Sequence, residues 1–253
     1  MLYDRRERIL EKLSRDGMVK VSELIAEFSV SSETIRRDLE SMEKENLLRR
    51  VYGGAVSVSR RGQEVRIEDR ETSNYEEKKA IGQRAVDLVD DGDVIMIDLG
   101  TTTLEFAKAL AGKKRNLTVI TNSIPVALTL SDDDNIRVFI IGGQVRKSEH
   151  SVSGNLADEN ARLFQTDKVF LGIGGLTEEF GATDYHVEET AFRRICIRRT
   201  RSVIVLADST KFGVTAMNQI CELKELRSVV TNREAERSFL NMVCSKGVEV
   251  LLA

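Results

Sequence analysis

The chain has 253 residues, 38 Lys or Arg against 41 Asp or Glu, and 41% apolar side chains, enough for two domains with a sizeable core. Its formal net charge of −3 excludes a protein that coats nucleic acid through an overall basic surface. No apolar run approaches the ~20 residues of a membrane span, and the start is charged from Asp4 onward, so we expect a soluble, unexported, cytoplasmic protein with no membrane partner.

The first predicted helix begins near Asp4, has Glu7 three residues on, turns Ile9, Leu10 and Leu13 inward and stops at Gly17. Ser22 is placed to cap a second helix with Leu24, Ile25 and Phe28 on one face, and Ser31 a third with Ile35, Leu39 and Met42 at i, i+4 and i+7. Only Ser29 and Val30 separate them, the spacing of a helix-turn-helix. Three such helices can bury their stripes against one another. The third leaves Ser32, Glu33, Thr34, Arg36, Arg37 and Glu40 exposed, with hydroxyls and arginines in the first turns, where such a helix meets base edges. A guanidinium can grip guanine O6 and N7 together, or hold a phosphate and fix register; the sequence leaves open which of Arg36 and Arg37 does which.

Leu48 to Val51 then alternates as a strand, Gly53 and Gly54 make a tight turn, and Ala55 to Val58 returns, giving a wing that exposes Arg49, Arg50 and Tyr52. The candidate contacts to double-stranded DNA are therefore Ser31, Ser32, Glu33, Thr34, Arg36, Arg37, Arg49, Arg50, Tyr52, Gly53 and Gly54. Residues 1–60 hold 12 Lys or Arg against 11 Asp or Glu, a net +1, while the remainder holds 26 against 30, a net −4. A nearly neutral reading head binds phosphates modestly in one copy, so a homodimer or homotetramer is expected. We read 1–57 as the winged helix-turn-helix domain and 58–72, poor in apolar periodicity, as a linker.

From Ser73 amphipathic helices alternate with short apolar runs: a helix to Val89, the Asp91-Gly92 turn, a strand over Val94–Asp98 and a helix after Thr102. Further strands are predicted at Leu117–Thr121, Arg137–Ile141, Lys168–Gly172, Ser202–Ala207, Ser228–Thr231 and Val248–Leu252. This makes 73–253 a mainly parallel α/β domain, a class that binds ligands at the carboxyl ends of its strands. Those ends carry Asp98, Gly100, Thr101, Thr102 and Thr103, then Thr121 and Asn122, Gly142 and Gly143, Gly172 and Gly174, and Asp208 with Lys211. The Gly100–Thr103 turn enters a helix and can hold a phosphate on its amides; Lys211 can add a point charge. Asp98, Glu188 and Asp208 can accept hydrogen bonds from sugar hydroxyls. Each feature has a bland counterpart, a cap or a turn glycine, and it is their recurrence that points to a site. Cys196, Cys221 and Cys244 lack a Cys-x-x-Cys pairing and read as buried free thiols in a reducing compartment, while His150 and His186 are isolated, so no metal site and no cofactor is expected.

The string VSELIAEFSVSSETIRRDLESMEKENLLRRVYGGA, with TIRRDL and LLRRVYGGA within it, resembles the amino-terminal signature of the DeoR family of bacterial repressors of sugar and nucleoside catabolism. DLGTTT, VITNS, IIGG, GIGGL and ADSTKFG resemble the sensor half of the same family, so the likeness covers nearly the whole chain. Tyr52 departs from the histidine common there before the two glycines, and Thr231-Asn232 from a Thr-Asp. The resemblance implies a sensor fold similar to ribose-5-phosphate isomerase, an operator as DNA partner, a phosphorylated sugar as effector, and no chemistry at the site. A competing reading is a sugar-phosphate isomerase or transferase with an attached DNA-binding domain. A purely architectural DNA binder leaves the polar strand ends unexplained.

Overall fold

The computed structural model describes residues 2–16, 18–45, 47–51, 53–57 and 67–253, and the chain divides into two units after Ser73. The first contains α1 (Leu2–Asp16), β1 (Met18–Lys20), α2 (Val21–Phe28), α3 (Ser32–Lys44), β2 (Leu48–Val51), β3 (Gly54–Ser57) and α4 (Ile67–Thr72). Ile9 and Leu13 of α1, Leu24 of α2, and Ile35, Leu39 and Met42 of α3 close over Val19, Leu48 and Ala55 as one core. Ile25 and Phe28 are partly buried at its margin. Ser31 caps α3, its Oγ accepting the Thr34 N–H at 3.2 Å, and Ser29 breaks the chain between α2 and α3 with a left-handed φ of 51°.

Three local expectations are corrected. α1 starts at Leu2, before Asp4, and Ser22 does not cap α2: Lys20 holds the N-cap position, in extended conformation and without a side-chain cap. The reason is β1, too short to announce itself in the sequence, which pairs with β3 and delivers the chain directly into α2. The stretch read as linker ends in a helix, α4, whose Ile67 is buried; residues 58–66 lie outside the described residues.

The wing is an antiparallel sheet in the order β1-β3-β2. Its two glycines are needed for different reasons. Gly53 turns with φ +80°, whereas a Cβ on Gly54 would stand 2.0 Å from the Val19 carbonyl oxygen. Gly54→Ala is therefore expected to destabilise this unit by about 1–3 kcal/mol through overpacking. Hydrogen exchange should accelerate over β2 and β3 and not in the second unit; unchanged exchange in the wing would mean that β1 yields without cost.

The second unit contains α5 (Tyr75–Ala85), β4 (Val94–Ile97), α6 (Thr101–Leu110), β5 (Leu117–Thr121), α7 (Ile124–Leu130), β6 (Ile136–Ile140), β7 (Gln144–Arg146), β8 (Ser151–Ser153), α8 (Asn155–Ala161) and β9 (Thr166–Leu171). It continues with β10 (Gly175–Thr177), β11 (Gly181–Asp184), α9 (Val187–Arg198), β12 (Thr200–Leu206), β13 (Asn218–Cys221), β14 (Ser228–Thr231), α10 (Arg237–Ser245) and β15 (Glu249–Leu252). All seven predicted strands are present and form one sheet in the order β15-β14-β12-β9-β4-β5-β6, every neighbouring pair parallel. The predicted bounds of β5 and β14 match to the residue; α5 ends before Val89, at Ala85, and passes into a single 3-10 turn.

Alternate side chains of each strand enter opposite layers. Ile95, Ile97, Val119, Phe170, Ile204 and Leu206 join Ile81, Phe106, Leu110 and Val126 of α5, α6 and α7. Met96, Ile120, Val169, Leu171, Val203 and Val205 join Ala157, Phe192, Ile195 and Val243 of α8, α9 and α10. Such near-continuous apolar strands are what a sheet covered on both faces requires. β10, β11 and β13 form a small antiparallel sheet, and β7 and β8 a hairpin, neither of them predicted. Chain order reverses at β4, with β5 on one side and β9 on the other, so the crevice expected to take ligand lies at the carboxyl ends of β4 and β9.

Candidate functional site

In the first unit α3 presents Ser32, Glu33, Arg36, Arg37 and Glu40 to solvent, with Ser31 exposed at its cap and Thr34 half-buried. The two arginines differ. Arg37 Nε lies 3.3 Å from Glu33 one turn back, while Arg36 has no carboxylate within ion-pair distance among the described residues. Arg50 turns back onto α3: its backbone N–H donates to Glu43 at 2.7 Å, and its guanidinium lies 3.4 Å from Glu43 and 3.9 Å from Glu40. Lys44 shares Glu40 at 2.8 Å and holds that carboxyl below its usual range. The acidic residues of α3 thus steady its own far end and the wing. Arg49 stands on β2 opposite Val56; Gly53 and Gly54 form the turn, and Tyr52 lies outside the described residues. A partly buried pair missed in the sequence, Arg5 Nε to Asp38 at 2.6 Å, ties α3 to α1 behind the exposed face.

In the second unit, Gly100 takes a φ of +137° at the N-cap of α6 and supplies no side-chain cap, leaving the amides at the start of the helix open. A Cβ on Gly172, at the end of β9, would meet the Leu99 carbonyl oxygen at 2.9 Å, so the two strand ends touch at the reversal point. Thr103 donates its hydroxyl to the Gly100 carbonyl at 2.9 Å and is structural, whereas Thr101 and Thr102 make no side-chain hydrogen bond among the described residues. Asn122, fully buried after β5, accepts the Leu99 N–H at 3.1 Å while its Nδ2 has no partner among the described residues, and Thr121 Oγ1 accepts the Ser123 N–H at 3.0 Å. Asp98 is buried, with one oxygen unpartnered among the described residues.

Asp98, Gly100, Asn122 and Gly172 are thus brought together, and the remaining candidates are not equivalent to them. Gly143 packs against β8 and Gly174 against the Tyr185 ring, both as spacers, with Gly142 exposed beside the first. Asp208 follows β12, two strands from β4, where it accepts the Thr210 N–H at 3.1 Å and the Asn74 amide at 3.4 Å. Lys211 is half-buried there, with no carboxylate in ion-pair range among the described residues. Glu188 lies exposed, within 3.4 Å of the Ser153 hydroxyl; its neighbour Glu189 is the carboxylate turned inward.

The sequence reading missed the charges that organise this crevice. Arg193 of α9, 2% exposed, lies 2.6 Å from Asp98 and 2.9 Å from Asp184 at the end of β11. Glu189, one turn before it, is met by Arg146 of β7 at 2.9 Å and by the Ser151 hydroxyl at 3.0 Å. Burial pushes the Asp98 carboxyl up to about 6, against the pull of Arg193 and with a further push from Glu189 and Asp184. Burial alone would lower the Arg193 pKa; Asp184, Asp98 and Glu189 carry it above its ordinary value instead. Glu189 and Arg193 stand at i and i+4 on α9, whose Phe192, Ile195 and Cys196 supply the core. Burial also raises the thiols of Cys196 and Cys221, leaving them inert, whereas Cys244, expected to be buried, is exposed on α10. Among the described residues no group of His, Cys, Asp and Glu is arranged to hold a metal, and no helix is long and apolar enough to cross a membrane.

A winged helix-turn-helix followed by a parallel α/β unit with a polar crevice is the build of a two-domain transcription regulator. Residues 5–61 match the model of the DeoR-like helix-turn-helix domain and residues 73–233 that of the DeoR C terminal sensor domain. The chain is 35% identical over 250 residues to the HTH-type transcriptional regulator YulB of Bacillus subtilis, covering 99% of this chain and 96% of that one. It is 29% identical to the glycerol-3-phosphate regulon repressor of Escherichia coli, covering 98% of each. Among solved structures, ribose 5-phosphate isomerase A of Methanocaldococcus jannaschii aligns with 55% of each chain at 20% identity and a TM-score of 0.41. The chain belongs to the DeoR family.

Proposed function

We propose that this protein is a transcriptional repressor of a carbohydrate-catabolism operon, released from its operator by a phosphorylated sugar or related metabolite. The first unit reads double-stranded DNA through Ser31, Ser32, Glu33, Thr34, Arg36 and Arg37 of the α3 face and tracks the backbone with the wing residues Arg49, Arg50, Tyr52, Gly53 and Gly54. The near-neutral charge of one reading head favours a homodimer or homotetramer on the operator. What carries the sensor assignment is the crevice where strand order reverses: an uncapped helix start beside buried polar atoms of Asp98 and Asn122 that have no partner among the described residues. Buried polar groups are costly to leave unpaired; an incoming phosphate would take the open amides, and the hydroxyls of its sugar would satisfy Asp98 and Asn122. The name of the Escherichia coli relative, a glycerol-3-phosphate regulon repressor, supports a phosphate ester as the effector class.

Release works by linkage: an effector that binds the DNA-incompetent arrangement more tightly shifts the population by no more than that difference, typically about 1–3 kcal/mol. Binding without turnover is the role favoured here over the isomerase alternative, because the relatives that match the chain over its length are named as a transcriptional regulator and a regulon repressor. Turnover of ribose 5-phosphate by the purified protein would overturn that preference. Thr102→Ala and Lys211→Ala are expected to leave operator affinity intact and to raise, by about tenfold, the effector concentration that releases DNA in a gel shift. A wild-type response in either variant removes that residue from the pocket.

A further inference from the structure

Three carboxylates crowd the crevice next to the open start of α6. Asp98, Asp184 and Glu189 are 1%, 4% and 1% exposed, and the cations within ion-pair distance of them among the described residues are Arg193 and Arg146. The cluster therefore keeps one more carboxylate than guanidinium. Among the described residues, Asp98 Oδ1 accepts no hydrogen bond and Asn122 Nδ2 donates none, whereas Glu189 Oε2 is taken by Arg146. A hydroxyl can donate to the first of these atoms and accept from the second, whereas a second phosphate or a carboxylate brings further negative charge.

With the open end of α6 holding the effector's phosphate, as proposed above, we infer that Asp98, Asp184 and Glu189 form a charge filter that admits a phosphomonoester with a neutral polyhydroxyl remainder and rejects one carrying a second anionic group. The phosphate lies at the helix start, where the backbone N–H groups and the hydroxyls of Thr101 and Thr102 are open. The hydroxylated end lies toward Asp98 and Asn122, with the charge of Glu189 behind them. A like charge brought against buried carboxylates that already exceed their cations is strongly disfavoured, which translates into a loss of affinity of about tenfold or more. The filter sets the chemical class of the effector and leaves the identity of the sugar to the shape of the crevice.

Thermal shift and calorimetry of the full-length protein with matched pairs test this: glucose 6-phosphate against 6-phosphogluconate, fructose 6-phosphate against fructose 1,6-bisphosphate, and glycerol 3-phosphate against 3-phosphoglycerate. The member with one anionic group in any pair that binds should bind at least about tenfold more tightly. A member with two anionic groups that binds as well or better overturns the filter and leaves the phosphate-sensing assignment standing. If no compound binds and none releases operator DNA, the sensor assignment fails and takes the filter with it. Glu189→Gln keeps the shape and the acceptor for Ser151 while removing the charge, so it should narrow the gap within a pair. Asp98→Asn makes the same test from the opposite wall should the first variant not fold. A folded variant with the gap unchanged in both cases overturns the assignment of these residues.

Discussion

Arg36→Ala is expected to weaken specific operator binding by on the order of 10- to 100-fold, with no change in thermal stability or effector binding, because a bidentate guanidinium contact is worth about 1–3 kcal/mol. The expectation follows from how the charges of α3 are arranged. Arg37 lies beside Glu33, Lys44 beside Glu40, and Arg50 reaches both Glu40 and Glu43, whereas the exposed Arg36 meets no carboxylate among the described residues. A guanidinium free of local partners can be presented to DNA without first breaking a pair, so Arg37→Ala should cost less. Anisotropy with the operator and a scrambled duplex at two salt concentrations separates the possible roles. If Arg36 reads a base, the operator-to-scrambled ratio collapses and the salt slope holds; if it grips a phosphate, both duplexes weaken and the slope falls by about one. Unchanged affinity for both duplexes would remove Arg36 from the interface.

How far the sequence reached depended on the range of the interactions involved. The stripe Ile35, Leu39, Met42 and the apolar runs of β4, β5, β9, β12 and β14 are local patterns, and each is buried as its period demands. Three-residue pieces such as β1, β7, β8 and β10 have no period to read; they are strands because a partner pairs with them. The same holds for the site. Gly100, Asp98 and Asn122 could be found because strand ends fall at predictable places, whereas Arg193 meets a carboxylate 95 residues away and sits in AFRRICI beside Arg194, with nothing local to say which of the two is buried. Glu188 and Glu189 posed the same ambiguity, resolved only by which side of α9 packs inward. Asp38, turned toward Arg5, is the equivalent case in the first unit.

Arg193→Met should destabilise the second unit by about 3–5 kcal/mol at pH 8, since removing one partner of a buried pair leaves the other's charge uncompensated, and here two carboxylates depend on it. The loss should be smaller in mild acid. Even with Arg193 present, burial lifts the Asp98 carboxyl from 3.8 to about 6. A group raised in the folded state contributes stability that is fully present below its unfolded pKa and is lost as pH rises through the folded one. For Asp98 that window runs from about 4 to about 6 and is worth roughly 3 kcal/mol. Without the guanidinium, Asp98 titrates higher still, so the variant keeps its proton past pH 6 and its deficit against wild type widens between pH 5 and pH 8. Comparing the two proteins at each pH cancels carboxylates that behave oppositely, such as Glu27 and Asp133, whose pKa values are lowered by partners the variant retains. Urea unfolding at pH 5 and pH 8 measures the widening. Asp98→Asn on the Arg193→Met background should recover part of the deficit at pH 8 and little at pH 5. An equal deficit at both pH values, with no recovery from the second substitution, would mean that Arg193 acts by packing alone and that the charge of Asp98 is answered elsewhere.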